Sequence, residues 1–396
     1  MAAIVDRVVA GLQERYVRGG QGARPTIALR TDEGPMKVFG AGEPQATLVA
    51  TKAGMAALAS MDLAAVAEAF VAGDIDVTGD LMQVLPLRDS LEDKHPMAYL
   101  GRFIKPLLRG QVQADRSAIP EHYDRDPEFF LSFMDRRHRA YSHGFFAHDD
   151  EPLEDAVGRK LEFALQAVGA RPGDRVLDIG GGWGAMTEFG GRRGIRVTSL
   201  TISEPSRHYI QAIIDREKLP CEVRMEHFFE HRPAERYDAI VNLGVTEHLP
   251  DYPRTLAHYD ALLKPGGRVY LDASAGRRKH AYSAFFERHI FRGNGGLMCL
   301  HEYMTAVAGS PFEAELVGND RRNYALTARH WAQNLDRARE EIVRRWGEPV
   351  YRIFQLYLWG CVDGFERGMI DAYHVVLARA GHLALASRRA AQPEAA

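Results

Sequence analysis

The sequence has few cysteines, no long apolar run and no excess of basic residues. Its 396 residues include only three cysteines, which lie far apart and form no CxxC pair. This spacing argues against a disulfide framework and a zinc site, so we expect no metal. No stretch of about 18 apolar residues occurs, which predicts that no helix crosses a membrane. The net charge of −3 gives no sign of a nucleic-acid partner.

The first residues also lack the features of a secretory signal. Segment 1–16 carries acidic residues and has no long apolar core. We therefore expect a cytoplasmic protein. The length, with 46% hydrophobic and 26% charged residues, is typical of a globular protein with room for two domains.

The N-terminal part predicts a small α+β domain over 1–90. Residues 1–18 have apolar positions at helical spacing, and residues 26–50 alternate and turn repeatedly, which predicts short antiparallel strands. From residue 52 to 87 the pattern is helical. Residues 91–118 are polar and basic and predict a linker. The cations of this linker either face solvent or contact anionic lipid headgroups.

The chain is organised around VLDIGGGWG at 176–184. An apolar strand that ends in a glycine turn and opens a helix is the nucleotide-binding design of doubly wound α/β folds. Asp178 lies directly before the glycines, unlike in the dinucleotide fingerprint. A site for S-adenosylmethionine (SAM) needs a nearby carboxylate and no pyrophosphate cradle. We interpret the stretch as the SAM motif of a class I methyltransferase, the alternative being an ordinary strand-turn-helix.

Strands and helices alternate after this motif, as a parallel sheet requires. The pattern therefore predicts a doubly wound, Rossmann-like α/β fold. Ligands bind at the carboxyl ends of the strands in such folds. The predicted topology places five residues on that rim, namely Asp178, Ser203, Phe229, Glu247 and Asp272.

Three further segments have unusual composition. Residues 119–150 interleave aromatic residues and histidines with few aliphatics, a pattern that suits either a site or a partly exposed helix. The candidates to line a site there are His122, Tyr123, Tyr141, Ser142 and His143. Residues 281–304 are rich in Phe, Tyr, Met and Leu, which suit either helical core packing or an acyl tunnel with a mobile mouth. Residues 328–385 predict long amphipathic helices.

The glycine motif at 176–184 and several further sequence segments, in their order along the chain, resemble the cyclopropane-fatty-acyl-phospholipid synthase family. This family includes the mycolic acid methyltransferases. VLDIGGGWG is similar to the family's VLDIGCGWG, LTIS at 200–203 to its VTIS, and TEHL at 246–249 to its FEHV. AYS at 140–142 and NYALTARHWAQNL at 323–335 also resemble family segments. The resemblance runs from about residue 26 to residue 380. The chain is identified as a diverged member of this family.

The resemblance implies a methyltransferase domain over 119–390, with a lipid-facing insertion around 277–330 and a smaller lipid-binding-like domain before it. It implies transfer of a methyl group from SAM to the double bond of an unsaturated fatty acyl chain of a phospholipid. The carbocation then becomes a cyclopropane ring or a methyl or methylene branch. In the family, bound bicarbonate removes the proton. The family also implies a homodimer that works at the inner face of the membrane.

The resemblance further implies which residues form the site. The residues expected to contact SAM are Tyr141, Ser142, Asp178, Gly180, Gly182, Thr201, Ser203, Ser206 and Phe229. Glu247 and Tyr324 match the glutamate and tyrosine that bind bicarbonate, and His248 follows that glutamate as in the family. The structural alternatives are a buried ion pair for Glu247 and a core aromatic for Tyr324.

Two bicarbonate ligands of the family have changed in this chain. His143 stands where the family has a cysteine, and Asp272 stands where it has a histidine. An anion is less favourable beside Asp272 than beside a histidine. His143 has the chemistry of a positive partner or of the base itself. We therefore expect that bicarbonate-assisted cyclopropanation is not the ordinary outcome, and bicarbonate itself is in doubt.

Three functions from different classes fit the sequence. The first is C-methylation of an unsaturated fatty acyl chain. The second keeps the fold and changes the reaction, to modification of a methylated acyl chain or to methylation of an isoprenoid or polyketide. The third is a non-catalytic relative that binds SAM or lipid. Binding of SAM and formation of S-adenosylhomocysteine (SAH) distinguish the first from the third.

Overall fold

A computed structural model describes residues 8, 10–11, 13–18, 24–31, 36–40, 42–93, 112–113, 126–279, 283–290 and 296–379. The chain divides into two compact units. Unit 1 contains Met1–Ile104, Tyr282–Phe291 and Trp331–Gly364, and unit 2 contains Lys105–Ala281, Arg292–His330 and Phe365–Ala396. Most of the predicted linker and half of the predicted helix over 1–18 lie outside the described residues. The described end of that helix, Gln13–Arg18, is of the π type.

Unit 1 is discontinuous in sequence, unlike the domain predicted over 1–90. Late segments of the chain join it because they pair with its N-terminal residues. Arg88 forms an ion pair with Asp363 at 3.1 Å, and Arg352 donates to the carbonyl oxygen of Phe70 at 3.1 Å. These contacts link positions more than 270 residues apart, which spacing along the sequence does not indicate.

The sheet of unit 1 has four strands in the order β2-β1-β3-β4. They are β1 (Ile27–Thr31), β2 (Lys37–Phe39), β3 (Ala46–Ala50) and β4 (Ile75–Gly79). The pairs β1–β2 and β3–β4 are antiparallel, whereas β1–β3 is parallel. The prediction of antiparallel strands over 26–50 was wrong for this last pair. After β2 the chain passes to the other side of β1, so β3 runs in the direction of β1.

Two helices connect β3 to β4, namely α1 (Lys52–Ser60) and α2 (Leu63–Ala72). Gly73 ends α2 with a φ of 81°, a conformation that glycine adopts readily. The chain then extends into β4, so the prediction of a helical pattern through this region was wrong at Ile75–Gly79. Two short 3₁₀ turns follow, at Leu81–Gln83 and Leu85–Ser90.

The helices from residue 127 onward follow in order. The helices are α3 (Pro127–Leu131), α4 (Leu153–Ala167), α5 (Ala185–Gly191), α6 (Glu204–Glu217), α7 (Tyr252–Leu262), α8 (Ala284–His289), α9 (Leu300–Ala308), α10 (Arg321–Arg337), α11 (Arg339–Trp346) and α12 (Glu348–Glu366). Two 3₁₀ turns lie at Phe228–Glu230 and Thr246–His248. Among the described helices, none is long and apolar enough to cross a bilayer.

Unit 2 is built on a seven-stranded sheet in the order β10-β11-β9-β8-β5-β6-β7. Its strands are β5 (Arg175–Ile179), β6 (Arg196–Thr201), β7 (Glu222–Met225), β8 (Tyr237–Leu243), β9 (Leu263–Ala275), β10 (Phe312–Asn319) and β11 (Asp371–Arg379). Strands β5 to β9 pair in parallel, and β11 is antiparallel to both of its neighbours. The predicted doubly wound α/β sheet is confirmed, with an antiparallel pair added at one edge.

The prediction of helices over 328–385 was wrong at its end, because β11 is a strand. β11 lies between β9 and β10, and Val375, Val376 and Leu377 are buried there. A short apolar run in an interior strand cannot be separated from a buried helix by periodicity alone. The segment 277–330 likewise contains β10 as well as helices.

Candidate cofactor and active site

A glycine loop follows β5, as the sequence predicts. Gly180, Gly182 and Gly184 have φ values of 77°, 51° and 83°, a region that residues with a Cβ seldom adopt. A Cβ placed on Gly182 would have no protein atom nearer than the Gly180 carbonyl oxygen, at 4.0 Å. One side of the loop is therefore open to a ligand.

A cavity lies beside this loop, at the carboxyl ends of β5, β6 and β8. Nine of the predicted site residues line it, namely Tyr141, Ser142, Asp178, Gly180, Gly182, Thr201, Ser203, Ser206 and His248. The structure thus brings together residues from four separate segments of the chain. Of the five residues that the predicted topology places on this rim, Asp178 and Ser203 line the cavity, whereas Phe229, Glu247 and Asp272 do not. The contact of the lining residues with SAM remains a prediction.

Phe229 does not line the cavity, whereas its neighbours His227 and Phe228 do. The three residues lie in or next to a 3₁₀ turn, in which successive side chains point in different directions. The ring of Phe229 packs under the guanidinium of Arg254, with 4.1 Å between the guanidinium carbon and the ring centroid. Of these two rings, Phe228 and not Phe229 therefore borders the cavity.

Polar contacts hold the glycine loop and its acidic neighbour in position. The hydroxyl of Ser199 donates to Asp178 Oδ2 at 2.8 Å. Burial raises the pKa of Asp178 to about 6. The hydroxyl of Ser206 donates to the carbonyl oxygen of Gly182 at 2.6 Å and accepts from Thr201 at 3.2 Å. Ser206 thereby ties the loop to the end of β6.

Aromatic side chains lie along one side of the cavity. Tyr141 and Trp183 line it directly. Phe130 lies between them, with ring centroids 5.5 Å from Tyr141 and 5.8 Å from Trp183. Aromatic faces attract cations, so this cluster suits a positively charged sulfonium or a developing carbocation.

Asp272 is paired with a buried lysine that the sequence analysis missed. Lys160 Nζ lies 3.1 Å from Asp272 Oδ2, and neither side chain is more than 1% exposed. The same ammonium donates to the hydroxyl of Ser142 at 2.5 Å. Lys160 neutralises the charge that was expected to repel an anion at Asp272. The sequence feature that indicates this buried lysine is its position on the apolar face of α4, between the buried Val157 and Ala164.

His143 belongs to a second buried array, in which Asp320 joins two histidines. Asp320 Oδ2 lies 3.2 Å from His143 Nε2 and 2.6 Å from His374 Nδ1. Burial alone would raise the pKa of Asp320, but its contacts with the two imidazoles outweigh this effect and lower it. His143 Nδ1 has no hydrogen-bond partner among the described residues. The Tyr324 ring lies 4.9 Å from the His143 ring and stacks on Phe365.

Glu247 lies in a third buried polar cluster, in which Ser274 holds its side chain. Its Oε1 accepts from the backbone N–H of Ser274 at 2.6 Å and from the Ser274 hydroxyl at 2.7 Å. Its Oε2 is buried and has no partner within the described ranges. Burial raises the pKa of Glu247 to about 7, and the charge of Asp272 adds to the effect. The carboxyl is therefore poised to exchange a proton near neutral pH.

The four remaining predicted residues, His143, Glu247, Asp272 and Tyr324, do not line the cavity itself. Asp272 is linked to it through Lys160 and Ser142, and His143 follows Ser142 directly. His122 and Tyr123 lie outside the described residues. In the part of the chain that the structure describes, no group of three or more His, Cys, Asp or Glu side chains is arranged to hold a metal ion.

The sheet order, the glycine loop after β5 and the cavity at the strand ends define a class I SAM-dependent methyltransferase. The structure is similar to a cyclopropane synthase of Mycobacterium tuberculosis, with a TM-score of 0.62, 26% identity and coverage of 66% of this chain and 98% of that chain. A mycolic acid cyclopropane synthase solved with SAH and CTAB has the same TM-score and coverage at 25% identity.

Comparison of sequences leads to the same family. A probable fatty acid methyltransferase of M. tuberculosis is 27% identical over 299 residues, which cover 74% of this chain and 69% of the relative. Residues 111–375 match the mycolic acid cyclopropane synthetase family. The chain belongs to that family, as the sequence motifs predict, and it is a SAM-dependent methyltransferase.

Proposed function

We propose that this enzyme methylates a carbon–carbon double bond in an unsaturated fatty acyl chain of a phospholipid, and that His143 removes the proton from the resulting carbocation. One observation carries the proposal. His143 follows two residues that line the cavity, and its buried Nδ1 has no partner among the described residues while its Nε2 faces Asp320. A buried imidazole oriented by a carboxylate is an arrangement that suits a general base.

The chemistry balances without a further reagent. SAM supplies a methyl group bound to a sulfonium sulfur. The π electrons of the double bond form the new C–C bond as the C–S bond breaks, which leaves a cation on the neighbouring carbon. His143 Nδ1 takes one proton from the new methyl carbon. If the cation is still on the neighbouring carbon, loss of this proton closes a cyclopropane ring. If a hydride has first shifted from the methylated carbon to the cationic carbon, loss of the same proton leaves a methylene branch, and neither route needs a reductant.

The surrounding side chains support each step. The faces of Tyr141 and Trp183 stabilise positive charge beside the cavity. Asp320 stabilises the imidazolium that His143 becomes, because its carboxylate lies at an ion-pair distance. The names of the relatives, a fatty acid methyltransferase and cyclopropane synthases, support an acyl substrate. Action at the inner membrane surface as a cytoplasmic homodimer is part of the same proposal.

The residues present do not favour bicarbonate. Lys160 is already paired with Asp272, and Glu247 Oε1 is already held by Ser274. Within the described residues, the cation beside these carboxyl groups is already engaged by Asp272, so an additional anion would have no free positive partner there. We therefore propose that His143 replaces the external base.

The test uses purified protein with SAM and vesicles of phosphatidylglycerol that carry oleoyl chains. We expect SAH to form and the acyl chains to gain one methylene group in mass, with gas chromatography and mass spectrometry distinguishing ring from branch. The rate should not change in buffer depleted of carbon dioxide. Turnover by His143→Ala should fall about 100-fold or more, with SAH binding retained.

His148→Ala is the matched control, because His148 lies in the same segment with a side chain that is 65% exposed. It should leave turnover unchanged. A strict requirement for bicarbonate would contradict the assignment of the base. SAH binding without methyl transfer to any olefinic acyl chain would contradict the substrate and favour a binding role or another substrate.

A further inference from the structure

We infer that Arg139 binds the α-carboxylate of the methionine part of SAM and SAH. Among the described residues that line the cavity, Arg139 is the single arginine or lysine, and Asp178 and Glu226 carry the opposite charge. The cofactor has an adenosine at one end and an amino acid with a carboxylate at the other. A carboxylate in a half-buried cavity needs a cationic or N–H partner.

The backbone of Arg139 is in an unusual conformation. Its φ is 58°, in the left-handed region that residues with a long side chain rarely occupy. The surrounding structure maintains this conformation, because Asp135 Oδ2 accepts from the N–H of Ala140 at 2.9 Å and Asp135 Oδ1 accepts from that of His138 at 2.6 Å. The loop thus places an arginine at the cavity wall at some conformational cost.

Both Nη atoms of the guanidinium have a partner, whereas its Nε has none among the described residues. Its Nη1 donates to the carbonyl oxygen of Arg137 at 2.9 Å, and its Nη2 pairs with Glu188 on α5. The Nε atom is buried and has no acceptor within the described part of the chain. An unpaired buried N–H is unfavourable, so a carboxylate that reached it would be bound with a charge-assisted hydrogen bond.

The glutamate that pairs with Arg139 belongs to a row of alternating charges. Glu188 also pairs with Arg192, Arg192 with Glu217, and Glu217 with Arg216. This row contains three arginines and two glutamates, with Arg139 at the end that borders the cavity. Because Glu188 is shared by Arg139 and Arg192, it does not neutralise Arg139 alone. The apolar wall at Phe228 suits the adenine instead.

The test compares two ligands by calorimetry, SAH and its decarboxylated analogue, which keeps the adenosine, the sulfur and the amino group. Wild-type protein should bind SAH more tightly than the analogue. Arg139→Gln should weaken SAH binding about 10- to 100-fold, as expected for a charge-assisted hydrogen bond, and change binding of the analogue by less than about 3-fold. Loss of binding of both ligands to the same extent would show a structural role, and an unchanged SAH affinity would show no contact.

Two further variants keep the test decisive. Arg139→Gly removes the guanidinium while glycine tolerates the positive φ, and it should give the same selective loss of SAH binding. Arg137→Gln is the matched control, since Arg137 is 60% exposed and pairs with Asp155; it should bind both ligands as wild type does. Neither assay contains lipid, so the result is independent of the proposed acyl substrate.

Discussion

Lys160 and Asp272 form a buried ion pair whose two members depend on each other. Breaking such a pair leaves one uncompensated charge away from water, which costs about 3–5 kcal/mol. We expect Lys160→Met to lower the free energy of unfolding by that amount, measured by urea denaturation. The double variant Lys160→Met/Asp272→Leu should recover most of the loss, because both charges are then removed.

The control for this prediction is the exposed pair of Lys264 and Asp238, 2.6 Å apart, in which the lysine is 45% exposed. Lys264→Met should cost less than about 1 kcal/mol. A Lys160→Met variant that loses no more stability than this control would contradict the mutual dependence of Lys160 and Asp272.

The raised pKa of Glu247 predicts that the stability of the folded protein depends on pH. Its pKa is raised from 4.5 to about 7 by burial, so the folded state holds the proton more tightly than the unfolded state. Stability is therefore lost as the pH rises from about 4.5 to about 7. Glu247→Gln removes this titration. Between pH 5 and pH 8, the stability of the variant relative to wild type should rise by up to about 3 kcal/mol.

The measurement is urea denaturation of both proteins at the two pH values, since other titrating groups cancel in the difference. Glu235→Gln serves as control, because the side chain of Glu235 is 72% exposed. A difference between Glu247→Gln and wild type that stays constant with pH would mean that Glu247 has an ordinary pKa.

The sequence predicts the residues of this site that belong to a local motif, and it misses those defined by distant partners. Asp178, Gly180 and Gly182 lie in one glycine loop, so a short pattern identifies them. Lys160 and Asp320 were missed because their partners, Asp272 and His143, lie 112 and 177 residues away along the chain. Only the folded structure shows that Asp272 forms an ion pair with Lys160.

The glycine loop is the element whose backbone geometry matters to the cofactor. Gly182→Ala should cost about 1 kcal/mol because its φ is positive, and it should also weaken SAH binding about 10-fold or more, because its Cβ would project into the cavity. Gly173→Ala is the matched control, with a φ of 91° and no atom near its Cβ. Calorimetry should show weaker SAH binding only for Gly182→Ala, and equal losses would assign the effect to strain alone.

At the level of elements, prediction was accurate where strand and helix alternate and wrong where the pattern was ambiguous. Strands β5 to β9 were predicted because they alternate with helical segments, which identifies even β7, whose sequence EVRM is not an apolar run. β11 was taken for a helix since its apolar residues follow α12 without a proline, and only pairing with β9 and β10 identifies it as a strand. Such pairing joins segments about 100 residues apart along the chain, so no local pattern reveals it.

The described residues that line the cavity all belong to unit 2. The stability of unit 1 should therefore be separable from cofactor binding. A Cβ on Gly54, in α1 of unit 1, would lie 2.1 Å from the carbonyl oxygen of Asp74. This carbonyl belongs to the backbone and cannot move aside without distorting its neighbours. Gly54→Ala should therefore destabilise unit 1 by about 1–3 kcal/mol.

Hydrogen exchange should locate that loss in β3, β4 and α1, while calorimetry should give an SAH affinity within about 2-fold of wild type. Gly360→Ala, in α12 of the same unit, is the control, because its Cβ meets no atom within 4 Å and alanine favours a helix. If Gly54→Ala abolished SAH binding while the amides of β5 and β6 remained protected, the two units would be coupled energetically. The cofactor site would then depend on residues that do not line it.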